Sequence, residues 1–92
     1  MLSRFEDELE LLERHISILK LVIENEPIGI IKLADMSQMP QHKIRYSLRV
    51  LEQGGLIRPS QRGAITTEKA GRVLAELPER LDTIARKIQG LK

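Results

Sequence analysis

Two long stretches of helical apolar spacing, one at each end of the 92-residue sequence, most constrain its fold. From residue 4 to about residue 25, and again from residue 67 to about residue 89, apolar side chains recur at alternating steps of four and three. They are Phe5, Leu9, Leu12, Ile16, Leu19 and Ile23 in the first stretch and Ala70, Leu74, Leu77, Leu81, Ile84, Ile88 and Leu91 in the second. We therefore expect a long amphipathic helix at each end of the chain.

The composition predicts one small cytoplasmic domain over residues 1–92. The chain has no cysteine, which excludes disulfides and thiolate metal sites. It has no apolar run of the roughly 18 residues that a membrane span needs. The N-terminal segment is acidic and periodic, whereas a signal peptide is basic and then continuously apolar.

Between the long helices, residues 28–66 predict a series of short elements. The segment "IGIIKLADM" predicts a brief extended stretch and then a two-turn helix, and "SQM" predicts a turn. Pro40 suits the first position of a new helix because its missing N–H would have no partner there. This helix is expected to run over residues 40–53 and to end at Gly54 or Gly55, where glycine allows a left-handed conformation.

Two β-capable runs follow, at residues 56–58 and 64–66, and predict a small hairpin in which Pro59 keeps the first strand short. Thr67 is a plausible N-cap of the last helix. Pro78 lies within that helix and is expected to kink it rather than split it, because the apolar spacing continues across the proline.

The helix over residues 40–53 is expected to have two faces of different character. Its inward face holds Ile44, Ser47, Leu48 and Leu51, which lie within about 100° of one another around the helix. Its outward face holds His42, Arg45, Tyr46, Arg49 and Gln53. Residues 32–63 contain six basic residues against two acidic ones, so positive charge is concentrated in the middle of the chain.

The segment "LADMSQMPQHKIRYSLRVLEQGGLI" resembles the helix-turn-helix consensus of many bacterial and archaeal regulators. "TTEKAGRVL" resembles the helix after the wing in regulators of the ArsR, MarR and PadR kinds. The sequence as a whole is most similar to small archaeal proteins described as predicted transcriptional regulators. The resemblance covers roughly residues 26–76. It implies a mostly α winged helix-turn-helix fold with a β-hairpin and long terminal helices. The chain departs from the consensus in the turn, where Ser37 and Gln38 stand in place of glycine.

This resemblance and the charge pattern together predict a transcriptional regulator that binds double-stranded DNA, with the helix 40–53 in the major groove. The base-edge candidates are Gln41, His42, Arg45 and Tyr46. The candidates for phosphate or wing contacts are Lys32, Lys43, Arg49, Arg58 and Arg62. One alternative is that these charges only keep the surface solvated and bind nothing. The alternative function is a winged-helix module whose cationic face binds an acidic partner protein.

The terminal helices suggest a homodimer. The apolar arc of the first helix spans roughly 200°, which is wider than the ~100° needed to face one neighbour. The expected interface residues are Phe5, Leu9, Leu12, Leu77, Leu81, Ile84 and Ile88. The alternative is that both helices pack only on their own domain.

The inventory of side chains argues against an enzyme. Two isolated histidines, no cysteine and no glycine-rich phosphate loop leave no set of nucleophile, base and oxyanion donor. We expect no metal site and no cofactor, and the sequence identifies no small-molecule effector. His15 borders the apolar arc of the first helix and is expected to be a packed histidine rather than a ligand.

Overall fold

The computed structural model describes residues 1–92 and contains four α-helices and one two-stranded antiparallel sheet. This confirms the expected mostly helical chain with a small β-hairpin. None of the helices has both the length and the apolar character needed to cross a bilayer. In chain order the elements are α1 (Leu2–Asn25), α2 (Ile30–Ser37), α3 (Gln41–Gln53), β1 (Ile57–Ser60), β2 (Gly63–Thr66) and α4 (Glu68–Gln89).

The core forms around the C-terminal half of α1. Only ten of the 92 residues are buried, and nine of these make one apolar cluster. The cluster consists of Ile18, Leu19, Val22, Ile28, Leu33, Ile44, Leu51, Ile57 and Ala70. Each of the four helices contributes to it, but α4 contributes only Ala70 in its first turn, with Leu74 packed against the cluster from the next turn. The N-terminal half of α1 and the C-terminal half of α4 therefore lie outside the core.

The turn between α2 and α3 depends on a non-glycine residue in the left-handed conformation. Gln38 has φ 58° and ψ 28°, a conformation that costs an L-residue about 1 kcal/mol or more. Its Nε2 donates a hydrogen bond to the Asp35 carbonyl oxygen at 2.6 Å, and the Met39 N–H donates to Ser37 Oγ at 3.3 Å. These local bonds stabilise the turn, which contains no glycine. Pro40 was expected at the first helical position of α3. It is instead the N-cap, and the helix begins at Gln41.

The hairpin is longer than predicted. β1 continues through Pro59 to Ser60, so the prediction that Pro59 ends the strand early was wrong. Pro59 pairs with Ala64, whose N–H and C=O bond to Ile28 on the other side of β2. Those groups point away from β1, so the missing N–H of Pro59 costs the ladder no hydrogen bond.

The α4 helix begins at the expected N-cap and is tied to the end of α3. The Thr67 hydroxyl donates to the Gly55 carbonyl oxygen at 2.6 Å instead of capping its own helix. The Lys69 ammonium donates to the Gly54 carbonyl oxygen at 2.8 Å. Gly55 has φ 77° and provides the expected left-handed residue after α3. α4 is continuous across Pro78, so the proline does not split the helix.

Candidate functional site

The third helix, α3, is fixed in the fold by one face and exposed on the other. Ile44, Ser47 and Leu51 are buried and Leu48 is half-buried, as predicted. α3 packs closely against α1, α2 and β1. All nine residues proposed for DNA contact have exposed side chains. Because its inner face is held by three neighbouring elements, α3 presents the outer face as a rigid surface.

We call the exposed residues His42, Arg45, Tyr46 and Arg49 the cationic face of α3. Helical geometry places them within about 100° of one another and opposite the buried face. The Arg45 guanidinium donates a long hydrogen bond of 3.5 Å to Gln41 Oε1, one turn earlier. This bond keeps two hydrogen-bonding side chains side by side at the N-terminal end of α3.

Lys43 lies apart from the cationic face. It is exposed, but it borders a cavity of about 510 Å³ between α1 and the turn that precedes α3. Asp7, Glu10 and Arg14 border the same cavity, and the Arg14 Nε is buried without a hydrogen-bond partner. Lys43 therefore shares this cavity with carboxylates of α1, whose negative charge opposes the approach of another anion.

The hairpin lies beside α3 and adds two basic side chains to this part of the surface. A groove of about 210 Å³ between α3 and β1 is bordered by Glu52 and Arg58. Arg62 lies at the tip of the hairpin, where its N–H donates to Ser60 Oγ at 3.3 Å. Lys32 and Asp35 of α2 border an open surface that adjoins this groove at Gly29 and Ile30. Arg58 thus borders the same groove as Glu52 of α3, Arg62 lies at the hairpin tip, and Lys32 borders the adjoining surface.

His15 connects α1 to α3 and was not predicted to do so. Its Nδ1 lies 2.8 Å from Ser47 Oγ, and Ser47 is fully buried. The His15 ring also lies against Tyr46, with 5.8 Å between ring centroids and a tilt of 44°. The His15–Ser47 contact links residues 32 positions apart in the sequence, so no local sequence pattern predicts it. His15 is a packed histidine, as expected, and it supports the cationic face from beneath.

Burial lowers the pKa of His15 from its ordinary value of 6.5, and the positive charge of Arg14 lowers it further. The unfolded chain consequently binds a proton at His15 more readily than the folded chain does. Between pH 6.5 and the lower folded pKa, each fall in pH favours the unfolded state. His15 therefore makes the fold less stable as the pH falls through this window.

We expect His15→Gln to remove this part of the pH dependence. Glutamine retains a donor for Ser47 Oγ but does not titrate, so the difference between the two stability curves isolates the histidine. Thermal denaturation from pH 8 to pH 4 measures it. The wild type should lose stability relative to the variant as pH falls below about 6.5. Two curves that stay parallel over this range would contradict the assignment.

A large apolar surface remains uncovered on α1 and α4. Six of the seven residues expected at a dimer interface are exposed: Phe5, Leu9, Leu12, Leu81, Ile84 and Ile88. The seventh, Leu77, is half-buried and borders an apolar groove of about 270 Å³ between α1, α3 and α4. The accessible surface is 6998 Å², whereas a folded monomer of 10.5 kDa averages about 5,400 Å². The chain thus exposes roughly 1,500 Å² more than a compact monomer of its mass.

Side chains that bind metals do not converge anywhere in the fold. No group of three His, Asp or Glu side chains is close enough to hold an ion. The cavity beside Arg14 contains charges of both signs, and the groove beside Leu77 is almost wholly apolar. The cationic face and the exposed terminal helices are thus the two surfaces with a distinct chemical character.

Comparison with known sequences places the chain in a family. The family profile described as "Bacterial protein of unknown function (DUF977)" matches residues 3–90. The match spans nearly the whole sequence, so the chain belongs to this family. No curated protein matches the sequence significantly.

Proposed function

We propose that this family member is a sequence-specific, double-stranded DNA-binding transcriptional regulator of the winged helix-turn-helix class, acting as a homodimer. The observation that carries the proposal is the cationic face of α3, exposed opposite a face that is locked into the core. An α-helix fits the major groove of B-DNA, and it reads bases only when its outer side chains are free and its inner face is held.

The order of elements supports the winged-helix assignment. α2, the turn at Gln38 and α3 have the order of a helix-turn-helix, and the hairpin of β1 and β2 follows as a wing. The exposed left-handed Gln38 allows the turn to be tight without glycine. Arg58 borders the groove between β1 and α3, and Arg62 lies at the hairpin tip. We assign both to the DNA backbone or minor groove, which a wing contacts.

The proposed roles follow the position of each side chain along α3. Gln41, His42, Arg45 and Tyr46 lie in its first two turns, which meet base edges in helix-turn-helix proteins. Arginine can pair bidentately with guanine, and glutamine with adenine. Arg49 lies further along the helix and is assigned to phosphate. Lys32 and Lys43 keep a phosphate role with less support, because each shares its surface with carboxylates, Lys32 with Asp35 and Lys43 with Asp7 and Glu10.

Homodimerisation is proposed from the uncovered apolar residues of α1 and α4. An excess of roughly 1,500 Å² on each chain corresponds to about 3,000 Å² for a pair, which is in the range of stable homodimer interfaces. A two-fold dimer would present two copies of α3, and the operator would then be a pseudo-palindrome with half-sites about one helical turn apart.

The test begins with selection of bound sequences from a random duplex pool, followed by binding of two variants to the selected site. Arg45→Ala should lose about 1–3 kcal/mol of binding free energy and relax the base preference. Arg62→Ala should weaken binding to all duplexes about equally and lower the salt slope by about one. Arg86→Ala is the matched control, since it removes an exposed positive charge from α4.

Two outcomes would contradict this function. If both variants bind every duplex as wild type does, the cationic face and the hairpin have no role in DNA binding. If selection enriches no sequence, base recognition is wrong, and the alternative of an acidic partner protein on the same face is favoured.

A further inference from the structure

We propose that, in the homodimer, the acidic N-terminal half of α1 packs against the basic C-terminal half of α4 from the second copy, so that opposite charges select this pairing. This inference rests on the homodimer proposed above and specifies which surfaces meet. It does not depend on DNA binding.

The two uncovered helix halves carry opposite charge. Residues 1–14 contain five acidic residues and two basic ones, for a net charge of −3. Residues 79–92, which are the C-terminal half of α4 and the three residues after it, contain four basic residues and two acidic ones, for a net charge of +2. The chain thus has an acidic N-terminal end and a basic C-terminal end, on the same helices that expose the apolar residues.

The charges that border the apolar stripes are segregated in the same way. At 100° per residue, Glu6 and Glu13 flank one edge of the stripe of Phe5, Leu9 and Leu12, and Glu8 flanks the other. On α4, Arg80 and Lys87 flank the stripe of Leu81, Ile84 and Ile88. Glu6 and Glu13 are seven residues apart, as are Arg80 and Lys87. This is the spacing of the flanking charges that choose partners in helix pairs.

Within one chain, the two halves leave the outer apolar residues of both stripes exposed. The closely packed pairs of elements involve α1, α2, α3 and the hairpin, and α4 belongs to none of them. Side chains of α1 and α4 border one apolar groove at Leu12 and Leu77, and beyond this groove the stripes are exposed. Each chain therefore offers one acidic and one basic apolar surface for a second copy to cover.

Charge decides between the two ways of pairing these surfaces. Contact of α1 with α1 would bring Glu6, Glu8 and Glu13 against the same residues, and contact of α4 with α4 would bring Arg80 against Lys87. Like charges beside a helix interface are destabilising, whereas opposite charges stabilise it. In a two-fold dimer, pairing α1 with α4 occurs twice, so each Arg80 and each Lys87 meets glutamates of the second copy instead of like charges.

The experiment is a charge reversal measured by sedimentation equilibrium without DNA. One variant carries Glu6→Lys and Glu13→Lys, and the other carries Arg80→Glu and Lys87→Glu. Each alone should weaken dimerisation on the order of 100-fold, because several favourable pairs become repulsive. An equimolar mixture of the two variants should form a heterodimer close to wild type in affinity. The chain with all four changes should also dimerise.

A matched control and three possible outcomes decide whether the proposed pairing of α1 with α4 is correct. Arg86→Glu reverses a charge on the opposite side of α4 from the stripe and should leave dimerisation nearly unchanged. Single-helix variants that dimerise as wild type would overturn the pairing but leave the homodimer intact. Recovery in the four-change chain without recovery in the mixture would mean that the charges pair within one chain, and would also overturn it. A wild type that is monomeric at all concentrations would overturn both the pairing and the homodimer, and the Arg45 and Arg62 test of DNA binding would be unaffected.

Discussion

Replacing Gly63 by alanine should lower the free energy of unfolding by at least about 3 kcal/mol. Gly63 has φ 132°, a conformation that L-residues rarely adopt. An added Cβ would collide with the backbone of Ile28, coming within 2.5 Å of its carbonyl oxygen, and would lie 2.8 Å from the Gly29 nitrogen. These are backbone atoms, so no side chain can rotate away to make room.

The effect should reach beyond the hairpin. Ile28 and Ala64 exchange two hydrogen bonds beside Gly63, of 3.1 and 2.8 Å, and Ile28 is part of the core. Moving the backbone to admit a methyl group would strain this bridge and the connection between α1 and α2. Urea denaturation followed by circular dichroism measures the change.

Gly71→Ala is the matched control for Gly63→Ala. Gly71 is exposed within α4, and an added Cβ would meet no atom within 4 Å. Because alanine favours the helix, this variant should gain about 0.5–1 kcal/mol. A Gly63→Ala protein with the stability of the wild type would show that the close approach to Ile28 is wrong.

We expect a second large effect from Leu81→Asp, which should weaken dimerisation more than 100-fold. Leu81 is 38% exposed and lies on the stripe of α4 that the proposed partner covers. Burying a carboxylate there would cost several kcal/mol unless it found a partner. It would also place a negative charge opposite the acidic half of α1.

The monomer itself should remain folded in the Leu81→Asp variant. The C-terminal half of α4 contributes no residue to the core, so the Leu81→Asp substitution leaves the packing around Ile18 and Ile44 intact. Sedimentation of wild type and variant measures the dimer, and circular dichroism checks the helix content. Ala75→Asp, at an exposed position on the opposite side of α4, adds the same charge and should dimerise as wild type does. Equal dimerisation of Leu81→Asp and wild type would exclude this stripe from the interface.

Local signals in the sequence were sufficient for most elements. Apolar spacing located both long helices, and the paired glycines at 54 and 55 located the end of α3. The two faces of α3 followed from helical geometry alone, because a regular helix fixes which side chains point the same way. The hairpin was found, but the length of β1 was not, since the effect of Pro59 depends on which way its partner Ala64 points.

The candidate site was only partly predictable for the same reason. Exposure of Arg45 and Arg49 followed from the helix period, but the cavity that Lys43 shares with Asp7 and Glu10 depends on how α1 crosses the turn. The support of Tyr46 by His15 joins two helices, and no pattern within either helix encodes it. Gln38 in the left-handed conformation was also missed, because glutamine has no special preference for it.

The sequence by itself determined the helices, their amphipathic faces and the opposite charges of the chain ends, since these depend on neighbours within a few residues. Tertiary structure decided three things: that His15 bonds to Ser47, that Ile28 pairs with Ala64, and that the outer halves of α1 and α4 lie outside the core. Each depends on groups brought together from more than 30 positions apart, or on space that no other element fills. Such arrangements are set by the packing of the whole chain.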